Sequence, residues 1–173
     1  YALIDGALVA REWAVDPADL SELRGFALAA SGDDLFLHGV DGLGNIHQLS
    51  KMGDAFVRGP VLLSAFDGWS SAENPTVLYF QEHTVVVVET GGALEGKVRG
   101  PQTTGSWVAL EGLLEVSAGM HHPSLIVQGG VYQLHAARSR GARTEIALLA
   151  SDRLLGWRNI TDRALEGSGT SRA

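Results

Sequence analysis

Three short triplets hold the side chains best suited to chemistry: Arg24-Gly25-Phe26, Glu73-Asn74-Pro75 and His121-His122-Pro123. A carboxyl group hands over or takes up a proton, a guanidinium holds an anion, and an imidazole does acid–base work or ligates a metal. Gathered on rigid elements around one concavity, such groups make a site for a polar ligand. Whether they gather depends on the elements that carry them. Glu73 opens the run ENPTVLYF, and an acid, an amide and a proline ahead of an apolar stretch mark a loop entering a strand.

Composition limits the alternatives. The chain has 173 residues, 45% hydrophobic and 19% charged, which suits one folded domain with a real core rather than disorder. Its net charge is −7, and the thirteen Lys and Arg residues are scattered apart from RSRGAR at 138–143, so a nucleic-acid partner is not expected. No apolar run approaches the roughly 20 residues that a membrane-crossing helix needs, so no membrane partner is expected either. The absence of cysteine excludes disulfides, thiolate metal sites and cysteine nucleophiles, and is compatible with an extracellular or a cytoplasmic location. The chain opens YALIDG, with neither Met nor a signal-peptide pattern, and reads as trimmed or processed.

Helical periodicity is scarce. Short apolar or alternating runs recur between Gly-rich turns: FALAAS, DLFLHG, NIHQLS, TVLYF, TVVVVET, SLIVQGG, VYQLHA and EIALLAS. Stacked, the segments 24–42, 73–92 and 122–141 start 49 residues apart. Each leads to a third strand (NIHQLS, EGKVRG or TEIALLAS) and to a fourth near Phe56, Trp107 or Trp157. YALIDGALVAREWAVD repeats the pattern of IALLASDRLLGWRNIT, with Trp13 in the place of Trp157. A four-stranded unit repeating every ~48 residues predicts an all-β fold, a β-propeller. The expected division is an outer half-blade at 1–22, complete blades at 23–70, 71–119 and 120–166, and a tail at 167–173, all in one domain. Three and a half blades leave open edges. The expectation is a ring completed by a missing blade, from an upstream segment or from another chain.

In a propeller the first strand of each blade lines the channel. The 49-residue register puts Arg24, Glu73 and His122 at equivalent leading positions, followed by Gly25, Asn74 and Pro123.

The junction SKMGDAFVRGPVLLSAFDGWSSAENPTVLYF resembles that of the five-bladed glycosidases of families 43 and 32 and their relatives, where a SxDxxxW outer strand runs into an ExP motif. IALLASDRLLGW has the same outer-strand pattern, and AGMHHPSLIVQGGVYQLHAA resembles the family 43 segment in which an axial His precedes a strand pair ending in YHA. The resemblance implies that these blades are part of a five-bladed ring. It makes Glu73 the general acid that protonates the leaving oxygen, a role that needs partial burial. It sets His122 beside a bound calcium ion or water, as the one metal-facing residue, and requires no other cofactor. Arg24 stands where family 32 members carry Arg-Asp-Pro, but the transition-state Asp is Gly25 here. The remaining catalytic Asp would belong to a blade outside these residues. Glycoside hydrolysis uses two carboxylates about 5–5.5 Å or about 6.5–9.5 Å apart, so the second must come from elsewhere.

Other residues have a chemical and a plain reading. Asp67 and Trp69 make a sugar-stacking pair or an ordinary turn with a packed ring. Asp33 and Asp34 are substitute carboxylates or turn formers. His121 and His122 with Glu73 would suit zinc or a harder ion, yet strand neighbours point to opposite faces, so both rarely reach one ion. His38, His47, His83 and His135 read as structural or exposed, and VDGLGN as a turn rather than a nucleotide loop. Three functions follow: a glycoside hydrolase-like propeller holding an oligosaccharide at Arg24, Glu73, Asn74, His121 and His122; a sugar-binding or scaffold propeller that has lost its carboxylates; or a propeller that uses these groups on another small molecule.

Overall fold

The computed structural model describes residues 2–4, 7–9, 13–69, 71–154 and 156–161. The expected tail at 167–173 lies outside them. β1 (Ala2–Ile4) and β2 (Ala7–Val9) form an antiparallel hairpin. β3 (Ala14–Val15) leads to α1 (Pro17–Glu22), which starts where the Asp16 carboxylate accepts a hydrogen bond from the Ala18 amide at 2.8 Å and Pro17 fixes the first turn. The first blade comprises β4 (Leu23–Ser31), β5 (Asp34–Asp41), β6 (Ile46–Met52) and β7 (Ala55–Leu63). The second comprises β8 (Glu73–Phe80), β9 (His83–Thr90), β10 (Ala93–Arg99) and β11 (Val108–Ala109). The short helix α2 (Leu113–Val116) precedes the third, made of β12 (Met120–Gln128), β13 (Val131–Arg140), β14 (Arg143–Ser151) and β15 (Arg158–Asn159).

Within each blade, strands pair antiparallel in chain order, and the inner strands β4, β8 and β12 stand side by side. The fold is a β-propeller of four-stranded blades. Two-residue turns close the β4–β5, β6–β7, β8–β9, β9–β10, β12–β13 and β13–β14 hairpins, and Gly91-Gly92 and Gly129-Gly130 supply the positive φ that such turns need.

Ala14 and Val15 pair parallel with Ala55 and Phe56, as a fifth strand on the outer edge of the first blade. The physical reason is the edge of β7, whose unpaired amides and carbonyls are capped this way. Trp13 follows, with its ring edge-on to Phe56 at 5.8 Å, beside a small core of Leu23, Leu49 and Phe56.

Two larger cores lie between blades. Val86 and Val88 face the first blade, with Val40, Ile46 and Leu63. Val85 and Val87 face the third, with Leu134, Ala147 and Leu149. All four valines are fully buried, so β9 reads as a continuous apolar run because both of its faces are covered. The end blades have one covered face each, and they alternate: Phe26 and Leu28 in β4 and Ile126 and Ile146 in the third blade are exposed. The two seams differ in polarity. Between the first and second blades, the Tyr79 hydroxyl donates to Gln48 Oε1 at 2.9 Å and meets His38 Nε2 at 2.9 Å, with the Phe36 ring tilted against Tyr79 at 5.2 Å. Burial pulls the His38 pKa down to about 4, against smaller opposing contributions from Ala27 and Gln48, and burial pushes Tyr79 up to about 12.

Candidate functional site

Each inner strand breaks step with its neighbour at its leading end. The pairs run Arg24↔Val40 then Ala27↔His38, Glu73↔Glu89 then Thr76↔Val87, and His121↔Ala137 then Ser124↔His135. Two residues of the inner strand thus oppose one of the second, a β-bulge in every blade. The first bulged residue is left-handed each time: Gly25 at φ 56°, Asn74 at 44° and His122 at 53°. Gly and Asn tolerate this region best, and His is enriched there among the rest.

This conformation corrects the register of the third blade. His121, not His122, is equivalent to Arg24 and Glu73, because the spacing shrinks from 49 residues (24 to 73) to 48 (73 to 121). The segment before the third blade is one residue shorter than its counterpart, which counting from the apolar runs did not register. His122 instead shares the position of Gly25 and Asn74, and Pro75 and Pro123 fall into line after them.

The leading residues form a connected rim. Arg24 Nη1 lies 4.0 Å from Glu73 Oε1, and both side chains are about half exposed at 51% and 55%. The partial burial that a proton donor needs is therefore not supplied by the described residues around Glu73. A Cβ on Gly25 would stand 2.8 Å from the Asn74 nitrogen and 3.2 Å from Pro75 Cδ, so the first blade has no room for a side chain here. Asn74 Nδ2 donates to Glu89 Oε2 at 3.0 Å, and the His122 amide donates to the same oxygen at 3.4 Å. Below the rim, the Leu125 amide donates to Thr76 Oγ1 at 3.3 Å, joining β12 to β8. His121 is half-buried, His122 is exposed, and their rings meet edge-on at 5.5 Å. Among the described residues no three His, Asp or Glu side chains come together to hold a metal ion.

The other candidates separate. Asp33 and Asp34 sit at the hairpin turn where Ser31 pairs with Asp34, the opposite end of the blade from the rim, where Leu23 pairs with Asp41. Trp69 turns inward onto the seam core, and its indole donates to Glu95 Oε2 at 2.9 Å. Asp67 bonds to Ser64 Oγ at 2.9 Å, and Lys97 donates to its carbonyl. The loop is a clasp between two blades, so Asp67 and Trp69 are not brought to Glu73. Its exposed aromatic is Phe66, at 97% exposure. The VDGLGN stretch is a turn: Asp41 Oδ1 accepts from the Leu43 and Asn45 amides at 2.8 and 3.0 Å, and Oδ2 accepts from Asn45 Nδ2 and meets His47 Nε2, each at 2.8 Å. Partial desolvation opposes ionisation there, but these bonds hold the Asp41 carboxyl well below the usual range. Arg58 extends the network from His47 (3.2 Å to Nδ1) to Glu22 (2.8 Å), tying α1 to the blade.

Sequence reasoning missed Glu89. It lies in TVVVVET, where the valine run signals only a strand, and its role appears once β9 is paired with β8.

No protein-family model matches the sequence, and no curated protein is significantly similar to it. Solved structures are similar in fold. Zg3597, a family 117 glycoside hydrolase of Zobellia galactanivorans, superposes with a TM-score of 0.62 at 13% identity, over 86% of this chain and 58% of that one. The α-L-arabinofuranosidase CtGH43 of Clostridium thermocellum gives 0.57 at 15%, over 78% and 49%. The sucrose-6-phosphate hydrolase of Lactobacillus gasseri gives 0.56 at 12%, over 80% and 34%. The chain thus spans between a third and three-fifths of these proteins. In fold, its four-stranded blades are similar to those of the five-bladed β-propeller glycosidases.

Proposed function

We propose that the chain is part of a glycoside hydrolase-like propeller that takes a carbohydrate at the mouth of its channel, with Glu73 as general acid. One observation carries the reading: Arg24, Glu73 and His121 occupy the same position, just before the bulge, on three adjacent inner strands, so an acid, a cation and an imidazole share one rim. Glu73 protonates the leaving glycosidic oxygen. Arg24, 4.0 Å away, orients the carboxylate left behind. The opposing carboxylate comes from a blade outside these residues, supplied by an upstream segment or by another chain, and that blade also provides the cover that Glu73 lacks. Any axial ion or water stands beside His121 or His122, and the proton transfer at Glu73 does not depend on it.

The test is hydrolysis by the intact protein of 4-nitrophenyl α-L-arabinofuranoside and of sucrose, with Glu73→Gln as the comparison. A general acid contributes about 10²–10⁴-fold, so the variant is expected to lose that much kcat on sucrose. The loss is smaller on the nitrophenyl glycoside, whose leaving group departs with little help. Equal losses on both substrates overturn the assignment.

A second reading has its own support. Gly25 is packed so closely on Asn74 that a carboxylate side chain at position 25 would clash, which suits a propeller that binds sugar without cleaving it. Saturable binding of arabino-oligosaccharides with no turnover by an intact, folded protein is the result that selects it.

A further inference from the structure

Glu89 belongs to none of the three leading triplets, yet it joins two of them. One carboxylate oxygen takes the Asn74 side-chain amide at 3.0 Å and the His122 backbone amide at 3.4 Å, bridging the second and third blades at the rim. Both donors belong to left-handed residues, at φ 44° and 53°, where backbone strain must be held by surrounding contacts. Glu89 is also the direct cross-strand partner of Glu73, so the two side chains leave the sheet on the same face.

The fold does not demand a carboxylate there. The equivalent partners in the other blades are Val40, opposite Arg24, and Ala137, opposite His121, and both of those blades make the same bulge. Glu89 therefore serves something particular to the blade that carries Glu73. Glu73 itself makes one ion contact among the described residues, the 4.0 Å approach to Arg24, so its direction is set by the backbone beneath it.

We propose that Glu89 is a positioning residue: clamped between Asn74 and His122, it fixes the left-handed turn that aims Glu73 and sets that turn against the one carrying His121. The inference rests on Glu73 being the proton donor. The bond to Asn74 holds the turn within the second blade, and the bond to the His122 amide holds the neighbouring turn at a fixed offset.

The intact protein, Glu89→Ala and Glu89→Gln are compared by two readouts. The first is kcat and KM on sucrose, whose poorer leaving group depends on the acid. The second is the NMR position of the His122 amide, recorded without substrate. Misplacement of a reacting group costs up to about 100-fold, and about tenfold or more is expected here in kcat for Glu89→Ala, with KM within about twofold. Glu89→Gln keeps an acceptor oxygen and is expected to recover kcat to within about threefold of the parent. The His122 amide signal is expected to move in Glu89→Ala and to stay near its parent position in Glu89→Gln. An unmoved amide in Glu89→Ala overturns the tether. So does a Glu89→Gln variant as slow as Glu89→Ala, because charge rather than clamping would then matter. The amide readout is independent of turnover, so it judges the tether even if Glu73→Gln shows that Glu73 is not the donor.

Discussion

The middle blade and the end blades are built to one plan and buried to different depths. β9 has Val85, Val86, Val87 and Val88 all sealed, two against each neighbour, whereas Ile146 in the third blade is 66% exposed and Leu28 in the first is 54% exposed. β9, with a blade on either side, is a run of valines sealed on both faces, whereas the outward faces of the first and third blades keep apolar residues uncovered among the described residues.

The sharpest way to break this comparison is to place one charge in each region. Val87→Asp buries an unpaired carboxylate in the seam core, a change that exceeds about 4 kcal/mol and is expected to abolish the thermal transition followed by circular dichroism. Ile146→Asp, made in the 173 residues taken alone, is expected to shift stability by less than about 0.5 kcal/mol. Equal damage from both would mean that the Ile146 face is covered after all.

Acid distinguishes the seams next. His38 titrates near 4 in the folded chain and near 6.5 when unfolded, so the unfolded state binds more protons between those values. Stability contributed by neutral, buried His38 is complete above about pH 6.5 and falls as pH drops towards 4, by about 3 kcal/mol at most. Hydrogen exchange across this range should rise first in β5 and β8, at the seam of His38, Gln48 and Tyr79. The seam of Val87 and Leu134 should hold. Uniform acceleration in both seams would erase the distinction.

The smallest effect concerns Gly25 and Gly32, which share nearly the same φ, 56° and 58°, but not the same surroundings. Alanine at Gly32 meets nothing within 4 Å, whereas at Gly25 it meets the Asn74 nitrogen at 2.8 Å. Both changes bear left-handed strain of about 1 kcal/mol, and Gly25→Ala is expected to cost a further 1–2 kcal/mol or so from the clash, as measured by urea denaturation. Equal costs would show that the rim yields easily.

The repeat, the hairpins and the propeller were legible because apolar alternation and Gly turns are local signals. The rim was legible only in part. Glu73 and Arg24 came into place from spacing alone, but His121 and His122 exchanged places, because a one-residue change in a connecting loop is invisible until a left-handed φ marks the bulge. A histidine in that conformation gives no hint in the sequence, where a glycine or asparagine would. Trp69 beside Asp67 read as a stacking platform or as a packed ring in an ordinary turn, and what selects the packed ring is the bond of its indole to Glu95, 26 residues away. The pairing of Ala14 with Ala55 was hidden for a similar reason: strand edges recruit partners by hydrogen bonding, without a side-chain code.

The valine run has a consequence for how the protein is made. TVVVVET has high β-propensity and no proline, and its two faces are completed by segments that lie on opposite sides of it in the chain. Until the third blade has left the ribosome, Val85 and Val87 have nothing to pack on, and the strand is open to pairing with another nascent chain. Glu89 closes the run with a charge, the kind of flanking residue that opposes such pairing while the partners are still unfolded.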